Sequence, residues 1–449
     1  MLKPRSSTVG SSYRDSSRIC DNYPFMSPHL AQIATWTATW LLCIAVFLLI
    51  LWRPRNVPEY IWAVLGAVLL ILFRLLSPSN AWIAVRAGTS VYLFLAGMML
   101  LAELARQHGV FDWLAEMALE HSHGSQLRLF GLVYAIGIVV TALLSNDATA
   151  VLLTPAVLAV VRRTNTSPLP YLFACAFVAN TASFMLPISN PANLVVFAGH
   201  LPTLGQWMRM FLLPAVAAIG TTFLLLWWRS RASLHNRIQD GVKPAALNAM
   251  GRRAAVGVLV AAGALLATSA MGGPVGLATA IAGVLAMLFV ARTQGRVMTA
   301  ALRNVSWSVI PLVAGLFVLV QALKGVGALR ICAEGLEAAA RWTPIAGLSA
   351  TAFSVGILAN AINNLPTGLI GAAAVNAAHV SSRMHAAVLL GINLGPNLSI
   401  TGSLATILWL TALQRENIRM GGGQFLRTGA ILMPCALLAA LLALFLSGY

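Results

Sequence analysis

Charged side chains are scarce in this sequence. Of its 449 residues only 9% are Asp, Glu, Lys or Arg, whereas 59% are hydrophobic. Soluble globular domains carry about 25% charged residues, and a soluble chain of this size could not cover its surface with so few polar groups. The composition therefore predicts a polytopic membrane protein that is solvated mainly by lipid.

Clusters of reactive or metal-ligating residues are also missing. The five cysteines are scattered and form no CxxC pair or Cys/His cluster, which argues against a disulfide framework and against a zinc site. Neither an HExxH nor a GxSxG motif occurs. We therefore expect no cofactor, and a membrane enzyme is a weak interpretation of this chain.

Acidic residues are few, and the 29 Lys and Arg against 12 Asp and Glu give a net charge of +17. The basic residues concentrate in short loops, as expected where they orient membrane spans. No basic patch with interleaved aromatic residues occurs, so we expect no nucleic-acid partner. The polar linker 229–253 is basic and is predicted to lie in the cytoplasm, which places both termini outside.

Apolar runs of spanning length recur along the chain. They lie at roughly 31–52, 59–77, 87–105, 169–200, 206–228, 254–270, 275–291, 305–323, 384–412 and 426–447. Two further apolar regions, 127–161 and 345–380, are interrupted by polar residues, which favours re-entrant hairpins over single spans. The Ser-rich tail 1–28 is predicted to be disordered and not a cleaved signal.

Matching interruptions in the two halves indicate a repeat. Ser145–Thr149 aligns with Asn363–Thr367, and Ile188–Asn193 aligns with Thr401–Thr406, anchored by Asn180 against Asn393. The first half begins outside and the second inside, so the repeats are inverted, as in many secondary transporters. The predicted fold is therefore an all-α polytopic membrane protein with inverted repeats at 29–228 and 254–449, each holding a re-entrant hairpin and a broken helix.

Asp147 is the one carboxylate that we place deep within an apolar stretch. An ionised carboxylate at that depth is costly, so it should be paired, hydrated or protonated. We interpret it as a proton-coupling residue, although an Asp that only caps a half-helix is the structural alternative.

Amide and hydroxyl side chains surround Asp147 and recur at the matching breaks. They can satisfy backbone groups freed by a broken helix, or they can bind a polar solute or a cation. Their recurrence in both repeats favours a shared substrate site. The predicted substrate-binding residues are Ser145, Asn146, Thr149, Ser189, Asn190, Asn363, Asn364, Thr367, Gly402 and Ser403.

Three stretches, Leu144–Pro155, Asn363–Thr367 and Leu394–Trp409, resemble the arsenical pump membrane proteins of the ion transporter superfamily. The resemblance runs from about residue 33 to the C terminus. It implies a scaffold part, a transport part that holds both hairpins, and an elevator-type movement. It also implies efflux of arsenite and antimonite across the bacterial inner membrane, driven by the proton motive force or assisted by a cytoplasmic ATPase subunit.

The chain departs from that family's pattern at three positions. Asn180 and Asn393 stand where the pattern has an acid, and Asn397 stands where it has a base. Arsenite near neutral pH is mainly the neutral trihydroxide, which Asn, Ser and Thr can bind by hydrogen bonds without a countercharge. The alternative is a sodium-coupled carboxylate or other anion transporter of the same superfamily, because Ser189–Asn193 also resembles those proteins.

Overall fold

The computed structural model describes residues 28–164, 166–197, 201–235, 237–238, 246–291, 295–378 and 380–448. Of the predicted disordered tail 1–28, only Pro28 is among the described residues. Residues 236 and 239–245 of the predicted linker also lie outside the described ranges. Within the described ranges the backbone forms helices and turns, with one isolated antiparallel bridge between Ser125 and Arg237.

Ten helices make up the first half of the described chain. They are α1 (Pro28–Trp52), α2 (Glu59–Leu72), α3 (Pro78–Ala87), α4 (Thr89–Gln107), α5 (Val110–His121), α6 (Gln126–Leu143), α7 (Asn146–Ala148, a π-helical turn Thr149–Leu153, and Thr154–Arg163), α8 (Leu169–Thr181), α9 (Pro191–Val196) and α10 (Leu204–Ser230).

The second half repeats this order, so that α11 corresponds to α1 and α20 to α10. Its helices are α11 (Ala249–Ala270), α12 (Val275–Ala291), α13 (Gly295–Asn304), α14 (Val309–Gly325), α15 (Ala328–Ala340), α16 (Pro344–Ile362), α17 (Asn364–Ala378), α18 (Ser382–Leu394), α19 (Leu404–Arg415) and α20 (Gly422–Leu446). The domain limits 29–228 and 254–449 stay a prediction.

The two halves pack on each other reciprocally: the fourth helix of each half packs along the second helix of the other. This is expected for repeats related by a two-fold axis. Helix α4 packs along α12, and α2 packs along α14. Gly97 on α4 lies against the backbone of Thr279, and Gly315 at the corresponding position of α14 lies against Ala63. A side chain at either glycine would meet backbone atoms, so both close approaches need glycine.

Seven of the described helices are long and apolar enough to cross a membrane: α1, α4, α6, α10, α11, α16 and α20. Helices α14 and α15 would add an eighth span if taken together, but they meet at a bend of 77°. The predicted runs 169–200 and 384–412 are each split into two helices, by a loop at 182–190 and by turns at 395–403. The predicted broken helices are thus α8–α9 and α18–α19.

Candidate functional site

The first hairpin, α6–α7, turns at Ser145, where the backbone is extended. The Ser145 hydroxyl accepts a hydrogen bond from Ala148 N at 3.1 Å, and the Asn146 side chain accepts one from Asp147 N at 3.0 Å. Serine and asparagine are favoured at such helix starts because their short side chains satisfy free N–H groups. The two limbs also meet through the hydroxyls of Thr141 and Thr149, 2.8 Å apart.

The second hairpin, α16–α17, turns at Asn363, whose φ is 77°. Its ψ is 156°, so it lies outside the left-handed helical region, in a conformation that residues with a side chain rarely adopt. Its side-chain oxygen accepts from Leu365 N at 3.4 Å, and its carbonyl oxygen accepts from the Thr367 hydroxyl at 2.7 Å. The tip of this hairpin is therefore fixed by its own side chains, as at the first hairpin.

The broken helix α8–α9 is held by Asn393 of the other repeat. The Asn393 side-chain oxygen accepts from Asn190 at 2.8 Å and from Ser183 at 2.5 Å, and its amide donates to Asn193 at 3.1 Å. Asn190 in turn caps α9 by accepting from Ala192 N at 3.0 Å. All of the side chains in these contacts are buried.

The broken helix α18–α19 is held by Asn180 in the corresponding way. The Asn180 side-chain oxygen accepts from Ser403 at 3.1 Å, and its amide donates to Thr406 at 3.3 Å and to Asn397 at 3.1 Å. Ser403 caps α19 by accepting from Thr406 N at 3.1 Å. Each repeat thus supplies one asparagine that holds the broken helix of the other repeat. The aligned residues Asn180 and Asn393 make equivalent contacts, and so do Asn190 and Ser403.

A small cavity of about 10 Å³ lies where the hairpin tips and the broken helices meet. Four predicted site residues line it: Asn146, Asp147, Asn190 and Asn364. The rest of the lining is apolar and consists of Leu95, Pro191, Val309, Leu365 and Leu404. Among the described residues that form this wall, Asp147 alone is ionisable, so the cavity carries an acid and no base.

Asn364 has an unusual position in this wall. Its side chain is 4% exposed, and its side-chain oxygen is buried without a hydrogen-bond partner. A buried acceptor without a partner is costly and rare in folded proteins. A donor group of a ligand in the cavity would satisfy this oxygen.

The other predicted substrate-binding residues do not line the cavity. Ser145 and Ser403 cap helices, and Asn363, Thr367 and Thr149 bond within their own hairpins, as described above. The Ser189 hydroxyl donates to Ala142 O at 3.0 Å, which ties the first hairpin to the loop before α9. A Cβ at Gly402 would lie 2.5 Å from Pro396 Cα, so Gly402 serves close packing.

Sequence reasoning missed the apolar part of the cavity wall and one asparagine beside it. Leu95 on α4 and Val309 on α14 line the cavity, but apolar residues in apolar helices give no signal. Asn360 on α16 accepts from Ser399 N at 3.0 Å and donates to Gly395 O at 2.8 Å, which fixes the turns between α18 and α19. The sequence does carry a signal for Asn360, because an asparagine inside an apolar helix is costly and indicates a structural or functional role.

Metal-ligating groups do not gather in the part of the chain that the structure describes: it holds no cluster of three or more His, Cys, Asp or Glu that could bind an ion. What the cavity offers is therefore hydrogen bonding by amides and one carboxylate.

Comparison with known proteins identifies the family. The model of the citrate transporter family matches residues 47–395, which is most of the chain. The chain belongs to the citrate transporter family.

Individual relatives of this chain carry other names. An arsenical pump membrane protein of Escherichia coli K12 is 27% identical over 418 residues, covering 89% of this chain and 96% of that protein. A protein of the same name from Yersinia enterocolitica is 27% identical over 421 residues, with the same coverage. A putative arsenical pump membrane protein of Bacillus subtilis is 21% identical and covers 88% of this chain and 96% of its own. The resemblance predicted from the motifs is thus confirmed.

Among solved structures, the YdaH transporter of Alcanivorax borkumensis has a similar fold. The TM-score is 0.54 at 14% sequence identity, and the match covers 82% of this chain and 87% of that one. This likeness and the helix order confirm the predicted all-α fold of the ion transporter type. The family and its relatives are transporters, so the chain is a multi-pass transporter of the bacterial inner membrane and not an enzyme.

Proposed function

We propose that this transporter exports arsenite and antimonite, as neutral trihydroxides, by proton-coupled antiport. The observation that carries the proposal is the cavity wall, which offers acceptor oxygens of Asp147 and Asn364 and no basic side chain among the described residues. A trihydroxide donates several O–H groups and needs no countercharge. The names of the arsenical pump relatives support the same substrate class.

The charge of the cavity opposes a polycarboxylate substrate. Citrate is a polyanion near neutral pH, and Arg is over-represented where proteins bind carboxylates. Here the ionisable wall residue is Asp147, which would repel an anion. The family's name therefore does not fix the substrate of this chain.

Asp147 is the proposed proton carrier. It stands at the start of α7, half-buried, where the hairpin tip faces the cavity. Arsenite and a proton would occupy the site in turn, because a protonated Asp147 no longer offers the same acceptors to the solute. Moving one charge across about 100 mV supplies about 2.3 kcal/mol, which sustains roughly a fifty-fold gradient of a neutral solute.

The size of the cavity requires movement during transport. A space of about 10 Å³ holds roughly one water molecule, whereas a trihydroxide is several times larger. The tips of α6–α7 and α16–α17 must therefore separate from the α9 and α19 starts before the solute enters. We propose that the two broken helices, linked to each other by the Asn180 and Asn393 contacts, move together with the re-entrant hairpins as the transport part of an elevator. The hairpin tips open locally within this part to admit the solute.

A sodium-coupled carboxylate transporter is the second candidate. The unpartnered Asn364 oxygen favours it as much as it favours a hydroxyl donor, since amide oxygens also bind Na⁺. A cation held there would then offset the charge of a bound carboxylate. Sodium dependence separates the two candidates.

The test is uptake of arsenite into everted membrane vesicles under an imposed pH gradient, with and without sodium and with and without ATP. The proposal predicts arsenite accumulation that needs the pH gradient alone, and no uptake of citrate. Uptake that requires sodium, or uptake of citrate instead of arsenite, would favour the second candidate. Uptake that requires ATP would point to the cytoplasmic ATPase subunit implied by the resemblance.

A further inference from the structure

A second cavity, of about 570 Å³, lies far from the Asp147 site in the fold. It opens where the second hairpin begins, between the end of α15 and the starts of α16 and α18. Its volume is in the range of small-molecule binding sites. The lining consists of Ala339, Ala340, Trp342, Thr343, Pro344, Gly347, Leu348, Ser381, Ser382, Arg383 and Met384.

The lining of this cavity is amphipathic. The apolar members of the lining include Trp342, Leu348 and Met384. Its polar members include Arg383 and Ser382 at the start of α18, where the N-terminal end of the helix adds positive potential. An anionic head group with an apolar tail would match this mixture of side chains.

Exposed apolar side chains place the cavity at the edge of the bilayer. Trp342 is 58% exposed, Ile345 is 46% exposed and Ile331 on α15 is 65% exposed. Tryptophan beside apolar helix ends is typical of the membrane–water interface. Lipid is therefore the medium that the mouth of this cavity meets.

The matching position in the first repeat is closed by the chain itself. The start of α6 corresponds to the start of α16, so that Ser125 matches Thr343. There, Ile238 donates its N–H to Gly124 O at 2.8 Å, and Ser125 forms a bridge with Arg237. The side chains of Leu234 and Ile238 are 4% and 5% exposed. In the first repeat the linker backbone thus covers this position, whereas in the second repeat a cavity lies there.

We infer that the 570 Å³ cavity binds an anionic phospholipid of the surrounding bilayer. The phosphate lies against Arg383 and the start of α18, and the upper part of an acyl chain lies along Trp342 and Leu348. Basic pockets between membrane helices bind phospholipid head groups in this way. The lipid would hold α15 against the second hairpin, as the linker segment holds the first.

Native mass spectrometry of the purified full chain, titrated with phosphatidylglycerol or phosphatidylcholine of equal chain length, tests this inference. Two variants change the cavity: Ala340→Trp fills it, and Arg383→Gln removes its positive charge. Two controls, Ala338→Trp and Arg341→Gln, alter exposed neighbours outside the lining. We expect one phosphatidylglycerol per chain, bound about tenfold more weakly by each cavity variant and unchanged in the controls.

Equal binding of both lipids, or equal loss in cavity and control variants, would overturn the inference. A change of oligomeric state in Ala340→Trp with unchanged lipid binding would also overturn it, because the cavity would then belong to an interface between copies. The readout is binding and not transport, so the result does not depend on the proposed function.

Discussion

Replacing Asn364 by leucine separates a ligand-binding role from a structural one. The two side chains have the same number of heavy atoms and the same branching, but leucine lacks the side-chain oxygen that is buried without a partner. An unsatisfied buried acceptor costs about 1–3 kcal/mol, so its removal should leave the stability unchanged or raise it. If the oxygen binds a hydroxyl of arsenite, the same change removes one hydrogen bond of about 1–1.5 kcal/mol to the solute, or about tenfold in KM.

The matched control is Asn393→Leu. Asn393 makes four hydrogen bonds, to Ser183, Asn190, Asn193 and Leu389 O, at 2.5–3.1 Å. Leucine there would leave several buried groups unpaired, so we expect a loss of at least about 3 kcal/mol. The two substitutions are chemically the same, and the structure predicts opposite effects on stability.

The assay combines thermal unfolding in detergent micelles with initial rates of arsenite uptake in vesicles. Asn364→Leu should keep or raise the melting temperature while KM for arsenite rises, and Asn393→Leu should lower the melting temperature. A similar loss of stability in both variants would refute the assignment of an unpartnered oxygen. Unchanged arsenite kinetics in Asn364→Leu would refute its contact with the solute.

Three further predictions address the surroundings of the site. Thr149→Val removes the bond to the α6 limb and should cost about 1 kcal/mol of stability without changing KM, measured by the same two assays. Gly402→Ala should reduce the amount of folded protein recovered from membranes, whereas Gly421→Ala should not, because a Cβ there meets nothing within 4 Å. In a cysteine-free background, Ser125→Cys should react with an impermeant maleimide only from the cytoplasmic side. Thr343→Cys should react only from the outer side. Labelling of both variants from the same side would exclude the inverted arrangement.

The hairpin tips and helix breaks could be predicted from sequence because polar residues interrupt apolar runs there. The apolar stretches of the sequence contain three such polar residues at the hairpin tips, Asn146, Asp147 and Asn364. A polar side chain within a membrane segment is costly, so it indicates a structural or functional role. The alignment of Asn190 with Ser403 also followed from sequence, and the equivalent contacts of these two residues match it.

What the sequence could not supply was the pairing across the repeats. That Asn180 bonds to Ser403 and Asn393 to Asn190 depends on how two distant helix breaks come together in space. Hydroxyl and amide side chains at helix breaks can bond to their own backbone or to a solute equally well. For this reason Thr149 was predicted to bind substrate although its hydroxyl contacts Thr141.

The close approach of the repeats had a signal that was not used. Gly97 and Gly315 have the same separation along the chain as Ser145 and Asn363. Glycine in a membrane helix is common, so each residue alone says little. As a repeated pair in register with the hairpins, they indicate that α4 and α14 can approach another helix closely. The structure places α12 against α4 and α2 against α14.

The most direct test of the account is pH-driven arsenite uptake into everted vesicles by Asp147→Asn beside the unsubstituted chain. Asparagine keeps the shape of the side chain but cannot carry a proton. The account predicts that Asp147→Asn still exchanges arsenite down its gradient but no longer accumulates it when a pH gradient is imposed. Accumulation equal to that of the unsubstituted chain would contradict the role of Asp147 as the proton carrier.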